Sequence, residues 1–167
     1  MGRRQASVTR ETRQNQRRAD LRHRDRGSAL ILYLDTSVLL KLYVEEVGST
    51  MVREQVENAT GLATSVIAYV EARCALARRR RVGEISPADY RRTLHEFETG
   101  WQRYLRVDVS ADALAEAARL GEMYVLRAYD ALHLGSAVVL RGRLGGDITL
   151  ASWDDELDAA AAREGFP

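Results

Sequence analysis

Four acidic residues of this chain lie in surroundings that suit buried side chains. Asp35 closes the apolar run Leu30-Ile31-Leu32-Tyr33-Leu34, and Asp154 follows a second run, Ile148-Thr149-Leu150-Ala151. Glu71 sits within Val66-Ile67-Ala68-Tyr69-Val70-Glu71-Ala72-Arg73-Cys74, one helical turn beyond Ile67, so it projects along a largely apolar stripe. Asp130 shares a helical face with Leu126, Leu134 and Ala137. Taking an ionised carboxylate out of water without a partner is costly, and inward-facing acids together demand a shared source of positive charge.

Lysine cannot supply it, because Lys41 is the only lysine in the chain and the acids would compete for a few arginines. A divalent cation meets the need better. Oxygen donors without a histidine or cysteine cluster favour Mg²⁺ or Mn²⁺ over zinc. Such ions keep waters and take further ligands from phosphates, so phosphodiester hydrolysis is their natural use here. Taken singly, the acids have plainer readings: Asp35 and Asp154 as helix N-caps, Asp130 as an acid at a helix start, and Glu71 as the partner of a neighbouring arginine.

The elements that carry these residues alternate strand and helix. The apolar run from Leu30 reads as a strand covered on both faces, and Gly61 to Thr64 as a second strand. Thr36 to Val44 and Ser49 to Asn58 read as short helices, and Ser65 to Arg80 as a long one capped by Ser65. Ser86-Pro87-Ala88-Asp89 starts a helix that runs to about Arg103, followed by a short strand at Leu105 to Val107. Ser110 to Val125 is a helix with Ala113, Leu114, Ala117, Ala118 and Leu120 on its buried side, and Tyr129 to Leu140 a markedly apolar one. Ile148 to Ala151 forms the last strand, and an alanine-rich helix follows Trp153. The expected fold class is α/β, a three-layer α/β/α sandwich around a parallel sheet of four or five strands. Ligands of such sheets gather beyond the carboxyl ends of the strands, where Asp35 and Asp154 fall.

Composition bounds the rest. A length of 167 residues, 46% of them hydrophobic, suits one domain. Residues 1–29 hold nine arginines against Glu11, Asp20 and Asp25, so this arm carries +6 of a net +1 and leaves residues 30–167 near −5. With few large apolar side chains the arm is expected to be disordered, either a basic tether for nucleic acid or, more simply, sequence upstream of the domain's natural start. A lone cysteine, Cys74, excludes an intramolecular disulfide and points to a reducing, cytoplasmic setting. No apolar run approaches the roughly 20 residues of a membrane span, and no secretory signal is apparent.

Read together, Leu34-Asp35-Thr36-Ser37, Glu71 in the helix after Thr64-Ser65, Tyr129-Asp130-Ala131-Leu132-His133-Leu134, and Ser152-Trp153-Asp154 with Leu157 resemble the PIN-domain family. The resemblance covers about residues 30 to 165 and looks closest to bacterial VapC-type toxins. It implies a PIN-like nuclease domain over 30–167: an endoribonuclease using one or two Mg²⁺ or Mn²⁺ ions, often a homodimer, held inactive by an antitoxin protein. It also implies Asp35, Glu71, Asp130 and Asp154 as the acidic positions, with Thr36 or Ser37 and Ser152 as supporting hydroxyls. Asp35 and Asp130 are the expected direct ligands. Glu71 is expected to bind metal or position the attacking water, and Asp154 to act through a bridging water. Two departures stand out: Asp155, next to Asp154, is a rival fourth acid, and Gly135 stands where alanine is usual.

His133, three residues after Asp130, allows a mixed Asp/His metal pair, although packing is the commoner role of such a histidine. Arg78, Arg79, Arg80 and Arg81 complement a helix dipole as a solvated end; with Arg73 and Arg127 they could also hold RNA phosphates or antitoxin acids. Tyr33, Tyr43, Tyr69, Trp101, Tyr104 and Cys74 suit the core. A receiver domain or aspartate phosphatase would want a second acid near Asp35 or a late lysine, and Ser37 and the lone Lys41 speak against both. The alternative within the family is a non-cleaving RNA- or protein-binding module, which is expected to lack one or more of the acids; here all four are present.

Overall fold

The apolar run that ends at Asp35 becomes a central strand, because only a strand with neighbours on both sides and helices on both faces can bury every side chain of such a run. The computed structural model describes residues 30–167, so the expected basic arm lies outside the described residues. Within them the order is β1 (Ile31–Leu34), α1 (Thr36–Leu40), α2 (Ser49–Glu57), β2 (Gly61–Ser65), α3 (Ile67–Arg81), α4 (Pro87–Trp101), β3 (Leu105–Val107), α5 (Ala111–Tyr124), α6 (Ala128–Leu144), β4 (Ile148–Ala151) and α7 (Asp155–Arg163). The four strands pair in parallel in the order β3-β2-β1-β4, with Leu32 opposite Leu62 on one side and Thr149 on the other.

Side-chain alternation along β1 divides the interior in two. Leu32 and Leu34 join Val38, Leu39, Val52, Ala68, Leu76 and Phe97 from α1 to α4. Tyr33 joins Leu120, Leu134, Ala137, Leu150, Leu157 and Ala160 on the opposite face, with α5 to α7. Topology explains the division. The chain steps from β1 to β2 to β3 in one direction and then crosses back to β4, so right-handed crossovers place the two sets of helices on opposite faces. The result is the expected three-layer α/β/α sandwich, with four strands.

Local departures from the sequence expectations have identifiable causes. Ser65 does not cap the long helix: it remains in β2, the Val66 amide continues the ladder to the Val107 carbonyl, and α3 starts at Ile67 without a side-chain cap. The first helix stops at Leu40, where the chain turns so that the Lys41 amine reaches Glu46 at 2.6 Å and the Val47 carbonyl at 2.9 Å. Cys74 is exposed, not core, because α3 buries Ala68, Ala72 and Leu76 and Cys74 falls on the other side of the helix. On α5 only Ala113, Ala117 and Leu120 are buried, and Leu114 and Ala118 face solvent. The aromatic residues are placed as expected, with Tyr33, Trp101 and Tyr104 buried and Tyr43 and Tyr69 packed against Phe97.

The narrow α5 stripe meets α6 at Gly135, which explains the missing alanine. A Cβ there would lie 2.7 Å from the Ala117 amide nitrogen and 2.9 Å from the Ala113 carbonyl oxygen, both backbone atoms that cannot swing aside. Gly135→Ala is therefore expected to lose stability in urea melts at unchanged m-value, even though alanine is the better helix former by about 1 kcal/mol. Overpacking of about 1–3 kcal/mol has to exceed that gain; a neutral or stabilised variant would show the α5–α6 contact to be loose.

Candidate active site

Strand order reverses between β1 and β4, and the crevice beyond their carboxyl ends is where open α/β sheets accept ligands. Asp35 follows β1 and Asp154 follows β4 at this crevice. The last backbone bond of the pair, from the Asp35 amide to the Ala151 carbonyl at 3.1 Å, brings the two strand ends together.

Asp35 is 5% exposed and serves as the N-cap of α1, its Oδ1 accepting from the Val38 amide at 2.9 Å. The Ser37 hydroxyl donates to the same carboxylate at 2.8 Å, and the Ser152 hydroxyl donates to Oδ2 at 3.1 Å. Both hydroxyls also accept, Ser37 from the Trp153 amide and Ser152 from the Asp154 amide, each at 2.9 Å. The segment carrying Asp154 is thus suspended from the hydroxyls that hold Asp35. Trp153 is fixed further by Lys41, whose amine lies 4.2 Å from the ring centroid, and by Gly48, at φ +94, where any Cβ would overlap the indole. Burial pushes the Asp35 pKa above its ordinary value; the His133 imidazole, the Val38 amide and the two serine hydroxyls pull it part of the way back.

Glu71 lies on α3, on the other side of the sheet from α6, and is held from both. Its Oε2 accepts from the Thr36 hydroxyl at 2.6 Å and lies 2.9 Å from His133 Nε2. Burial alone would raise its pKa, but the bonds from His133 and Thr36 outweigh that effect and the carboxyl sits below its ordinary value. Its partner is therefore a histidine and a threonine, not the neighbouring Arg73, which turns to Glu98 and the Tyr69 hydroxyl.

Asp130, in the first turn of α6, accepts from Arg127 Nε at 2.7 Å, while Arg127 Nη2 reaches Asp154 Oδ2 at 2.8 Å. One guanidinium, 71% exposed, thus bridges two of the expected acids. Asp154 Oδ1 meanwhile caps α7 through the Glu156 and Leu157 amides at 2.9 and 3.1 Å. Asp155, the rival, is an exposed residue in the first turn of α7; the acid joined to Asp35 through Ser152 and to Asp130 through Arg127 is Asp154. Arg79 is engaged by Glu46, and Arg78, Arg80 and Arg81 are exposed at the far end of α3, with Arg78 about 10 Å along the axis from Glu71.

The family model for the PIN domain matches residues 32–162. The chain belongs to the PIN-domain family. This PIN domain is 28% identical over 137 residues to two proteins of Mycobacterium tuberculosis, Ribonuclease VapC45 and Ribonuclease VapC49, covering 81% of this chain and 92% of each. In fold it is similar to a toxin-antitoxin complex from Klebsiella pneumoniae (TM-score 0.55, 16% identity, 74% of this chain and 86% of that one). It is similar also to VapBC2 from Rickettsia felis, solved with a DNA fragment from the promoter (TM-score 0.56, 15% identity, 77% of this chain and 92% of that one).

PIN-domain membership raises the question of whether these residues suit a divalent ion. Among the described residues no group of three or more His, Cys, Asp or Glu side chains stands close enough to hold an ion as they lie. The donor chemistry nevertheless fits: the acids are hard oxygen ligands, Asp35 bears a burial cost only partly offset by its neighbours, and the cation joining Asp130 to Asp154 is an exposed side chain able to turn away. Of the hydroxyls named from sequence, Ser37 and Ser152 lie on Asp35, and Thr36, the alternative to Ser37, lies on Glu71. Sequence reasoning placed His133 in the packing and missed its bond to Glu71; the available signal was the spacing of three from Asp130.

The direction of the Asp35 shift yields a stability test. Below its ordinary value near 3.8 the carboxyl is neutral in folded and unfolded chains alike. As the pH rises through the raised folded value, the unfolded carboxyl ionises freely and the folded one does so against burial, so stability is lost. Asn keeps the N-cap and never charges. In EDTA, Asp35→Asn is expected to melt higher than wild type at pH 7, by roughly 2–4 °C for each kcal/mol recovered, and the gain should vanish in acid. Calorimetry showing a lower melting temperature at pH 7 would contradict the assigned burial cost.

Proposed function

We propose that this PIN domain is a Mg²⁺- or Mn²⁺-dependent endoribonuclease and the toxin member of a toxin–antitoxin pair. The observation that carries the reading is the connected chain Asp35–Ser152–Asp154–Arg127–Asp130, which brings carboxylates from three separate segments to the sheet's switch point. The ribonuclease names of its curated relatives and the toxin-antitoxin title of a fold neighbour support the same reading.

Asp35, Asp130, Glu71 and Asp154 would hold the ion or ions. A bound ion of this kind lowers the pKa of a water and offsets charge on the scissile phosphate. The remaining work belongs to the chain's own groups. Ser37, Ser152 and the Val38 amide fix both oxygens of Asp35, so that carboxylate needs little reorganisation. Thr36 orients Glu71, the candidate for positioning the attacking water. Asp154 commits Oδ1 to the α7 amides and keeps Oδ2 for a cation. Arg127 is placed to exchange its carboxylates for an RNA phosphate, with the exposed Arg78, Arg80 and Arg81 as outlying contacts for RNA or for antitoxin acids. Arg73 and Arg79 are weaker candidates, already engaged by Glu98 and Glu46. Met123, Val125 and Tyr129, exposed where α5 turns into α6, offer apolar surface for the expected homodimer. The proposed RNA substrate places the protein in the cytoplasm, and no helix among the described residues is long and apolar enough to cross a membrane.

Cleavage of RNA by the full chain is expected with Mn²⁺ or Mg²⁺ and not with EDTA. Asp35→Asn and Asp130→Asn should each lose more than the roughly 100-fold that removal of a supporting contact costs. Undiminished cleavage by both variants would sink the proposed site. Arg127→Ala reads the competition directly: with the guanidinium gone, Mn²⁺ binding measured by calorimetry should tighten about twofold to fivefold, the range of an exposed ion pair. Weaker Mn²⁺ binding would mean that Arg127 supports the ion site instead of competing for it.

A further inference from the structure

His133 is 2% exposed, and its ring is engaged on both nitrogens. Nδ1 lies 3.2 Å from the hydroxyl of fully buried Tyr33, whose ring meets the imidazole edge-on. Nε2 lies 3.1 Å from Thr36 Oγ1 and 2.9 Å from Glu71 Oε2. Proton bookkeeping assigns the tautomer. The single Thr36 hydroxyl proton goes to Glu71 Oε2 at 2.6 Å, so Thr36 can face Nε2 only as an acceptor, and Nε2 carries the hydrogen. Nδ1 pairs with the Tyr33 hydroxyl. Burial pushes the Tyr33 phenol up and keeps it a donor.

The path of this bond matters as much as its chemistry. Glu71 lies on α3, which packs into the first core, and His133 on α6, which packs into the second. Their contact therefore passes over the carboxyl end of the sheet and joins the two helical layers beside Asp35. Both bonds to Glu71 fall on Oε2, and among the described hydrogen bonds none falls on Oε1. One oxygen is pinned and the other is left for a water or an ion. A residue that served packing alone would need neither the nitrogen on Glu71 nor the phenol on its other nitrogen.

We propose that His133 is a positioning residue of the active site, with its Nε2–H, on a ring anchored by Tyr33, holding Glu71 Oε2 so that Glu71 faces the crevice beyond the sheet. The proposal rests on the metal-dependent nuclease reading. It separates His133 from the mixed Asp/His ligand pair that its spacing from Asp130 allows, since Nε2 is already committed to Glu71 and Nδ1 to Tyr33.

The test uses the full chain with Mn²⁺ and an RNA substrate, in His133→Leu, His133→Gln and Glu71→Gln variants and the His133→Leu/Glu71→Gln double variant. Leucine keeps the apolar bulk, and glutamine restores a nitrogen donor near the position of Nε2. Positioning predicts that His133→Leu lowers kcat by about 10-fold to 100-fold with little change in KM, and that His133→Gln recovers most of the loss. Coupling through Glu71 predicts that His133→Leu adds less than about twofold once Glu71 is already Gln. Wild-type kcat in His133→Leu, no rescue by glutamine, or full additivity with Glu71→Gln overturns the assignment. Should His133→Leu not fold, the comparison passes to Tyr33→Phe and His133→Gln. Positioning then requires kcat reduced in the first and near wild type in the second, and any other order overturns it. A wild-type chain that neither binds Mn²⁺ nor cuts RNA overturns the nuclease reading and this one with it. A wild type that does both, while the His133 variants match it, overturns this one alone.

Discussion

Asp35 is 5% exposed, so its charge has to be stabilised by groups fixed to the protein and not by water. That requirement organises the surroundings. The Val38 amide is available because α1 starts immediately after β1, and Ser37 sits on the first turn of that helix. Ser152 is available because β4 lies beside β1 and the Asp35 amide extends their ladder. The Ser152 and Ser37 hydroxyls then fix the Trp153–Asp154 backbone, and the Trp153 ring is seated by Lys41 and by the bare backbone of Gly48. One buried carboxylate thereby sets the place of a second acid 119 positions away, through contacts each of which also completes a strand end or a helix cap.

The plain readings of three of the acids hold and leave room for the functional one. Asp35 and Asp154 are N-caps, and Asp130 stands in a first helical turn, as each residue read alone would suggest. A cap uses one carboxylate oxygen and leaves the other, which in Asp154 goes to Arg127. Local structure therefore supplies orientation and leaves the second oxygen for another partner. Arg127 fits the same pattern. The β-branched Val125 adopts φ 55 at the end of α5, an unfavourable conformation that turns the chain sharply toward Leu126 and Arg127 and so toward the acids.

Layering and sheet membership were legible because apolar runs and helical stripes report burial directly: the strands at 31–34, 105–107 and 148–151 stand where the hydrophobic pattern put them. The acids were legible because charge on an apolar stripe conflicts with burial. Other features depend on a partner element and leave no local trace. Ser65 looks like a cap until β3 lies alongside and extends β2 through Val66. Leu114 looks like core until α6 approaches close enough at Gly135 to narrow the buried stripe. Cys74 follows apolar composition but falls on the wrong side of α3. His133 was read as packing because burial was visible in its neighbours, whereas its bond to Glu71 joins residues 62 positions apart on opposite faces of the sheet.

The strand order also has a consequence in time. Among the described strands β4 is made last and lies beside the first, and the Ser152–Asp35 contact closes a separation of 117 residues. Parallel pairing over that distance waits for the chain between, since closing so long a loop gains nothing until β4 can dock. A nascent chain emerging from the ribosome thus carries Asp35, Glu71 and Asp130 well before it has the strand that brings Asp154 and Ser152 to them. The cluster of acids is therefore assembled only once β4 has paired with β1.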